Sequence, residues 1–259
     1  MTMESLLLQV FDPPLPWKRF SGTLGVDLAL GLLDSRTLYI NFKCADSLQD
    51  MIVNLRMSPQ RIPGRSECIR VHRGMLRAYL EVQPDIHAMV YTQGLQRVVI
   101  QGFSLGAGLA LLCGEDLARL REQDPRLAQL ELTEHGLSCV AGAPRVLYRG
   151  GDSELFSRRT RGMLRVVNHN DTVTRLPHAW MGYRHTGELV AIGTRRLWPF
   201  SLRSFLEHAP QSYLGHVRTP DYRDTRNSNP FYRDSLIYTL GVHAGLMYIV
   251  RSLLRLGVS

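Results

Sequence analysis

The pentapeptide Gly-Phe-Ser-Leu-Gly at residues 102–106 places one serine midway between two glycines. Glycine suits both flanking positions of a very sharp turn because it has no Cβ atom to obstruct a strained and crowded backbone. Such a turn would hold the hydroxyl group of Ser104 clear of the chain, where a neighbouring base could remove its proton. The pattern therefore predicts that Ser104 is the nucleophile of a covalent catalytic mechanism.

A serine nucleophile needs a histidine as its base and a carboxylate that holds the histidine in the right tautomer. Asp171 follows the hydrophobic run at residues 164–168, so it is expected just past the C-terminal end of a strand, at the sheet edge where ligands bind. We predict Asp171 as the acid, with a turn or capping carboxylate as the alternative. The pattern alone does not choose a base, because five histidines follow: His178, His185, His208, His216 and His243.

The elements around Ser104 are those that a nucleophile elbow requires. A buried-strand signature, Val98-Val-Ile100, leads directly into the pentapeptide, and residues 107–121 are rich in alanine and leucine, which predicts a helix. Strands are expected at residues 37–42, 97–101, 137–141, 164–168 and 188–192. Short apolar runs that alternate with helix-length segments predict an α/β fold with a mostly parallel central sheet flanked by helices.

Composition bounds the classes of function. The chain has 259 residues, 44% of them hydrophobic, which is enough for a substantial core, and a formal charge of +8. Of its 31 basic residues all but Lys18 and Lys43 are arginines, scattered without a long block, so specific nucleic-acid binding is not expected. Attraction to an anionic lipid surface is the functional interpretation of this charge.

The cysteines and the N-terminus predict an intracellular, cytoplasmic protein. The cysteines form no Cys-x-x-Cys pair, and we interpret them as small residues in a reduced compartment; they are Cys44, Cys68, Cys113 and Cys139. Residues 1–10 have no basic region followed by a small-residue cleavage site, so a secretory signal is not expected.

Two regions are distinguished along the chain. Residues 1–224 are predicted to form the catalytic domain, and residues 225–259 a C-terminal apolar helical segment. Its apolar run at residues 236–250 is shorter than the roughly twenty residues that span a bilayer. We interpret it first as a helix packed on the domain, second as an in-plane membrane anchor, and last as a true span.

Four blocks of sequence, in a fixed order, resemble the class 3 lipase family, the fungal and plant triacylglycerol lipases. The resemblance runs over about residues 39–214, and its blocks lie at residues 71–79, 98–110, 141–146 and 165–177. It implies an α/β-hydrolase fold and a serine carboxylic ester hydrolase that acts on acylglycerols or related lipid esters through an acyl-enzyme. It implies no cofactor and no metal, and the chain has neither a Walker A sequence nor His-Glu-x-x-His.

The resemblance also selects the base. In the family a Gly-Tyr-x-His element, matched here by Gly182-Tyr-Arg-His185, contains a histidine that is not the base. The catalytic histidine comes later and is often followed at five residues by Tyr-Leu, which fits His208 with Tyr213. We therefore predict His208 as the base, with His216 as the alternative.

The same resemblance places the oxyanion donors and a lid. The donors would be the backbone N–H groups of Leu105 and Ala45, although Lys43-Cys44-Ala45 stands where the family has Arg-Gly-Thr or a near variant. Phe103 replaces the histidine that commonly precedes the serine. Residues 47–56 would form a short lid helix whose apolar residues cover the acyl site: Leu48, Met51, Ile52 and Leu55.

Two alternatives to a lipase stay open at this point. The altered oxyanion turn at Ala45 favours a catalytically silent lipase-like protein that serves as a binding or interaction module. An intact catalytic triad with another acceptor would instead make a phospholipase or an acyltransferase. For a lipase, the expected partner is a lipid ester substrate, with peripheral contact to a membrane or lipid droplet.

Overall fold

The computed structural model describes residues 1–20, 26–43, 58–132, 137–193 and 206–218. In these ranges the helices are α1 (Met3–Phe11), α2 (Arg73–Val90), α3 (Leu105–Gln123), α4 (Ser153–Arg159) and α5 (Pro210–Val217). The strands are β1 (Lys18–Phe20), β2 (Val26–Leu32), β3 (Thr37–Phe42), β4 (Pro59–Arg61), β5 (Arg70–His72), β6 (Arg97–Phe103), β7 (Cys139–Ala141), β8 (Leu147–Tyr148), β9 (Leu164–Asn168), β10 (Tyr183–Arg184) and β11 (Glu188–Ile192).

The main sheet has seven strands in the order β1-β2-β3-β6-β7-β9-β11. All neighbours from β3 to β11 are parallel, and their register pairs Phe42 with Gly102 and Phe103 with Ala141. These five parallel strands are the five that the sequence predicts, and three of them have the predicted bounds. The mostly parallel α/β architecture is therefore confirmed.

Two parts of the β-structure were not predicted. Strands β1 and β2 extend the main sheet in the antiparallel direction, and a second antiparallel sheet has the order β10-β8-β5-β4. The strands of the second sheet are two or three residues long, too short to produce a recognisable alternation of apolar and polar residues.

Helices cover both faces of the main sheet. In β3 the side chains of Leu38 and Ile40 belong to the core shared with α2 and α3, whereas those of Tyr39 and Asn41 point to the other face. There Asn41 Nδ2 donates to the carbonyl oxygen of Val10, at the end of α1, over 3.0 Å. The first face is the larger core, and each fully buried leucine or isoleucine in it contributes about 1.5–3 kcal/mol.

Helix α3 contains two fully buried acidic residues, Glu115 and Asp116. Arg65 pairs with both, at 2.6 Å to Glu115 and 2.7 Å to Asp116, and Arg159 pairs with Glu115 at 2.8 Å. Buried charges require such partners because removal from water is costly. We call this group the Glu115–Asp116 cluster; it also includes Glu67, Tyr79, Gln83, His87, Arg119 and Glu122.

None of the helices in the described ranges is long and apolar enough to cross a bilayer. The predicted lid at residues 47–56 and the apolar run at residues 236–250 lie outside those ranges. The division of the chain at residue 224 stays a prediction.

Candidate active site

Ser104 lies in a sharp turn between the end of β6 and the start of α3. Its φ of 56° and ψ of −123° make it the one residue other than glycine with positive φ in the described part of the chain. A non-glycine backbone in this region costs about 1–3 kcal/mol and persists only where neighbouring contacts hold it. One such contact is the hydrogen bond from Ser104 N to Ala141 O, at 3.0 Å.

The two glycines of the pentapeptide are required by close packing. A Cβ atom on Gly102 would overlap the backbone of Gly106, and a Cβ on Gly106 would overlap the carbonyl groups of Phe42 and Lys43. The turn is therefore pressed against the end of β3. This packing places Phe42 and Lys43 beside the turn that carries Ser104.

The structure brings together the three residues that were predicted as nucleophile, base and acid. His208 Nε2 lies 2.7 Å from Ser104 Oγ, and His208 Nδ1 lies 2.7 Å from Asp171 Oδ2. Because a carboxylate only accepts hydrogen bonds, Nδ1 is the donor to Asp171, and Nε2 is left to accept the serine proton. This is the arrangement in which a histidine activates a serine.

Asp171 is fully buried and has donors on both carboxylate oxygens. Val173 N donates to Oδ1 at 2.8 Å, and the hydroxyl of Tyr213 donates to Oδ2 at 2.5 Å, beside His208. Tyr213 orients the carboxylate that orients the histidine. The sequence analysis used Tyr213-Leu214 only as a marker for His208 and did not predict the contact between Tyr213 and Asp171.

The loop that carries Asp171 is held by Arg145, another residue whose part was missed. Arg145 donates through its backbone N–H to Leu176 O at 2.6 Å and through Nη1 to the carbonyl groups of Arg175 and Pro177. The Leu176–Pro177 peptide bond is cis. Arg145 belongs to the block at residues 141–146 that resembles the family, which is the signal that pointed to it.

An aromatic group supports the imidazole ring of His208. The ring of Phe103 is stacked on it, with centroids 4.9 Å apart and an interplanar angle of 20°. Phe11 and Tyr213 contact Phe103 edge-on, at 5.1 Å and 5.8 Å between centroids. The residue that replaces the family's common histidine thus limits rotation of the base.

The alternative base, His216, has a different partner. Its Nε2 lies 3.0 Å from Glu207 Oε2. Burial acts to raise the pKa of Glu207, but hydrogen bonds from Ser212, Asn168 and His216 outweigh it and lower that pKa to about 2. The geometry therefore supports His208 over His216 as the base.

Leu105, the first predicted oxyanion donor, lies directly after Ser104. It is the first residue of α3, so its N–H has no acceptor within the helix and lies at the positive end of the helix dipole. Ala45, the second predicted donor, lies outside the described residues, and its role stays a prediction.

No group of three or more metal-binding side chains occurs among the described residues. Cys68, Cys113 and Cys139 are free thiols, and burial raises the pKa of Cys139 to about 12, so this thiol is a poor nucleophile.

The chain is similar in sequence to known lipases. Residues 39–181 match the family model described as Lipase (class 3). A lipase of Rhizomucor miehei is 35% identical over 157 residues, which are 59% of this chain and 41% of the relative. A lipase of Rhizopus niveus is 28% identical over 159 residues, 59% of this chain and 38% of the relative. The chain thus spans about two fifths of the length of the curated relatives it matches.

Solved structures agree in fold. A fungal lipase–inhibitor complex described as a model for interfacial activation has a TM-score of 0.56 and 28% identity, over 69% of this chain and 65% of that one. A triacylglycerol lipase described as having a serine protease triad at its catalytic centre has a TM-score of 0.55 and 26% identity, over 74% of this chain and 76% of that one.

Proposed function

Because the chain belongs to the class 3 lipase family, whose model matches more than half of its residues, we propose that it is a serine carboxylic ester hydrolase. Its substrates would be acylglycerols or related lipid esters. The observation that carries the proposal is the continuous hydrogen-bonded chain Ser104–His208–Asp171, with 2.7 Å at each step. The triad described for a triacylglycerol lipase of similar fold supports it.

We propose a role for each group of the site. His208 Nε2 takes the proton of Ser104 as the serine oxygen attacks the ester carbonyl carbon, and Asp171 stabilises the imidazolium that forms. The N–H of Leu105, together with that of Ala45, would stabilise the negative charge on the carbonyl oxygen. The attack forms a tetrahedral intermediate. Its collapse breaks the ester bond, and His208 gives its proton to the leaving alcohol.

Deacylation uses the same groups in the second half of the cycle. A water molecule loses a proton to His208 and attacks the acyl-enzyme carbonyl, and collapse releases the fatty acid and restores Ser104. The mechanism needs no cofactor. Its only co-reactant is water.

A fluorophosphonate probe tests the nucleophile directly. The purified full chain should be labelled covalently and should hydrolyse a short-chain p-nitrophenyl ester, and Ser104→Ala should remove both activities. Ser157→Ala is a matched control, because Ser157 is a half-buried helical serine in α4. Absence of label in the wild-type chain would favour a catalytically silent lipase-like binding module.

The assignment of the base is tested by comparing His208→Ala with His216→Ala. We expect the far larger loss of ester hydrolysis in His208→Ala, since Ser104 contacts His208. A loss confined to His216→Ala would overturn it.

The lipid substrate and the lid form a finer proposal. If residues 47–56 cover the acyl site in water, the hydrolysis rate of a triacylglycerol should rise when its concentration passes the solubility limit and droplets form. A hydrolysis rate that does not rise at this concentration would contradict the proposed lid. A panel of triacylglycerols, phospholipids and acyl acceptors separates a lipase from a phospholipase or an acyltransferase.

The site of action is also a proposal. We propose an intracellular, cytoplasmic protein, because its cysteines are typical of a reduced compartment. Peripheral contact to a membrane or lipid droplet is proposed from the scattered arginines and from the apolar run at residues 236–250. Fractionation of cells that express the full chain, or a chain without residues 225–259, tests it. Equal solubility of the two chains would exclude anchoring by this segment.

A further inference from the structure

Asn168, the last residue of β9, contacts both the acid and the base segments of the site. It is fully buried. Its backbone carbonyl accepts a hydrogen bond from Asp171 N at 3.0 Å. Its side-chain Nδ2 donates to the backbone carbonyl of Glu207 at 3.0 Å, and Glu207 immediately precedes His208.

The position of Asn168 is itself well defined. It is paired in the parallel sheet with Ile192, the last residue of β11. Its Oδ1 accepts from Asn170 N at 3.2 Å, which fixes which way the side-chain amide faces. A residue in the sheet therefore provides a common reference for Asp171 and His208, which are 37 residues apart in the chain.

Glu207 extends this connection to helix α5. Asn168 Nδ2 also donates to Glu207 Oε2, at 2.8 Å. The same carboxylate oxygen accepts from Ser212 Oγ at 2.5 Å and contacts His216 Nε2 at 3.0 Å, both on α5. Helix α5 also carries Tyr213, which donates to Asp171. The contacts thus form a closed circuit around the acid and the base.

We propose that Asn168 is a positioning residue for the triad, which sets the distance between the imidazole of His208 and the carboxylate of Asp171. It touches no reacting atom in this role and acts through the backbone carbonyl and the carboxylate of Glu207. The inference rests on the proposed function, in which Ser104, His208 and Asp171 carry out ester hydrolysis.

The test uses Asn168→Asp, which keeps the size of the side chain but replaces its donor with a negative charge. That charge would face the carbonyl and the carboxylate of Glu207. We expect kcat for a soluble short-chain ester to fall about 10- to 100-fold, the cost of a small misplacement of a catalytic group, with KM changed less than about threefold. Asn168→Ala, which adds no charge, should lower kcat in the same direction and provides a second variant if the first does not fold.

A rescue variant separates positioning from general damage. In the double variant Asn168→Asp, Glu207→Gln, the glutamine amide can donate to the new carboxylate, which reverses the direction of the original hydrogen bond. We expect the double variant to recover at least about fivefold of the lost kcat, as coupled neighbours do in a double-mutant cycle. No recovery would overturn the role of the Asn168–Glu207 contact.

Asn41→Asp is the matched control. Asn41 is equally buried, and its Nδ2 also donates to two backbone carbonyls, those of Gln9 at 3.1 Å and Val10 at 3.0 Å. The control should lose thermal stability and keep the kcat of the folded protein. If Asn168→Asp and Asn41→Asp lower kcat equally, or if Asn168→Asp lowers stability alone, Asn168 is merely structural.

A proton NMR spectrum provides a measurement that does not depend on hydrolysis. The Nδ1 proton of His208 should give a downfield resonance that is absent in Asp171→Asn, and Asn168→Asp should shift or broaden it. An unchanged resonance would overturn the inference even if the wild-type chain hydrolysed no ester. Absence of hydrolysis and labelling together with a shifted resonance would overturn only the proposed function.

Discussion

Helix α3 joins two polar groups of opposite kinds, the triad at its N-terminal end and the Glu115–Asp116 cluster further along. Ser104 precedes the helix, and Glu115 lies eleven residues later, about 16 Å away along the axis. The triad holds a strained backbone and a half-buried histidine, whose Nε2 meets the serine hydroxyl. In the cluster Glu115 and Asp116 are fully buried and paired on several sides.

The difference between the two groups predicts what each contributes. The triad makes folding less favourable, because Ser104 adopts a backbone conformation that costs about 1–3 kcal/mol. In the cluster, each charge is compensated by an opposite charge, and removal of one partner leaves the other buried alone. Substitutions in the triad should therefore lower activity with little change in stability. Substitutions in the cluster should lower stability with little change in activity.

The largest effect is expected for Ser104→Ala. Loss of the nucleophile should lower kcat by about 10⁴-fold or more, because the remaining groups cannot form an acyl-enzyme. The free energy of unfolding should change by less than about 1 kcal/mol, since a small side chain is replaced in an unchanged turn. Ester hydrolysis and urea unfolding of the same preparation measure the two quantities. A large loss of stability would contradict the division between the two groups.

Asp116→Ala should have the next largest effect, on stability. Removal of this carboxylate leaves charges and donors of the cluster without their partner, which costs about 3–5 kcal/mol for a buried pair. The partners of Asp116 are Arg65, Tyr79, Gln83, His87 and Arg119.

Urea unfolding measures this loss, and an ester assay at low temperature measures kcat of the folded fraction. We expect kcat to stay within about twofold of the wild-type value, because Asp116 contacts no residue of the triad. Arg126→Ala serves as the control, since Arg126 forms an exposed ion pair with Asp124 that is worth about 0–1 kcal/mol. A kcat that falls in parallel with stability would show that the two groups are coupled through α3.

Tyr213→Phe should have a smaller effect, on the triad alone. The ring keeps its contact with Phe103, but Asp171 loses one donor. A hydrogen bond to a charged group is worth about 1.5–3 kcal/mol, so kcat should fall at least about tenfold. Steady-state hydrolysis of a short-chain ester measures kcat, and an unchanged kcat would show that Tyr213 only packs against Phe103.

Lowering the pH should have the smallest effect, because Tm should change little until the solution is clearly acidic. Burial acts to raise the pKa of Asp116, but hydrogen bonds from His87 and Gln83 and the charge of Arg65 hold it well below its ordinary value of 3.8. A depressed pKa stabilises the fold above the ordinary value, and this stability is lost as pH falls toward the lowered pKa. Glu207, with its pKa lowered from 4.5 to about 2, acts in the same direction.

Thermal unfolding should therefore be nearly independent of these two groups between pH 7 and pH 5, and Tm should fall below about pH 4.5. In Asp116→Asn the fall should be shallower, since one of the two groups no longer titrates. If Tm falls equally steeply in this variant, Asp116 does not contribute to the loss of stability in acid.

Parts of the fold and the site were predictable because their signals are local. The parallel strands are short segments rich in apolar and β-branched residues, and the elbow needs glycines at fixed spacing around Ser104, so both appear in a short window of sequence. Asp171 was found in the same way, since it follows a strand. The choice of His208 needed the resemblance to a family, because a histidine has no local pattern that marks it as a base.

The remaining features depend on segments that are distant in the chain. Glu115 and Asp116 look like ordinary polar residues of a helix, and they are buried only because Arg65 and Arg159 are brought to them from other elements. The part of Asn168 is equally hidden, since Glu207 lies 39 residues further on.

The sequence by itself determined the parallel strands and the elbow, and it predicted Ser104 as the nucleophile and Asp171 as the acid, because backbone preference and apolar pattern act over a few residues. The choice of His208 among the five histidines needed a family resemblance, and only the tertiary structure decided which tyrosine and amide hold the triad and which charges can be buried. Hydrogen bonds and ion pairs reach only about 3–4 Å, so their partners are defined once the whole sheet and its helices are assembled.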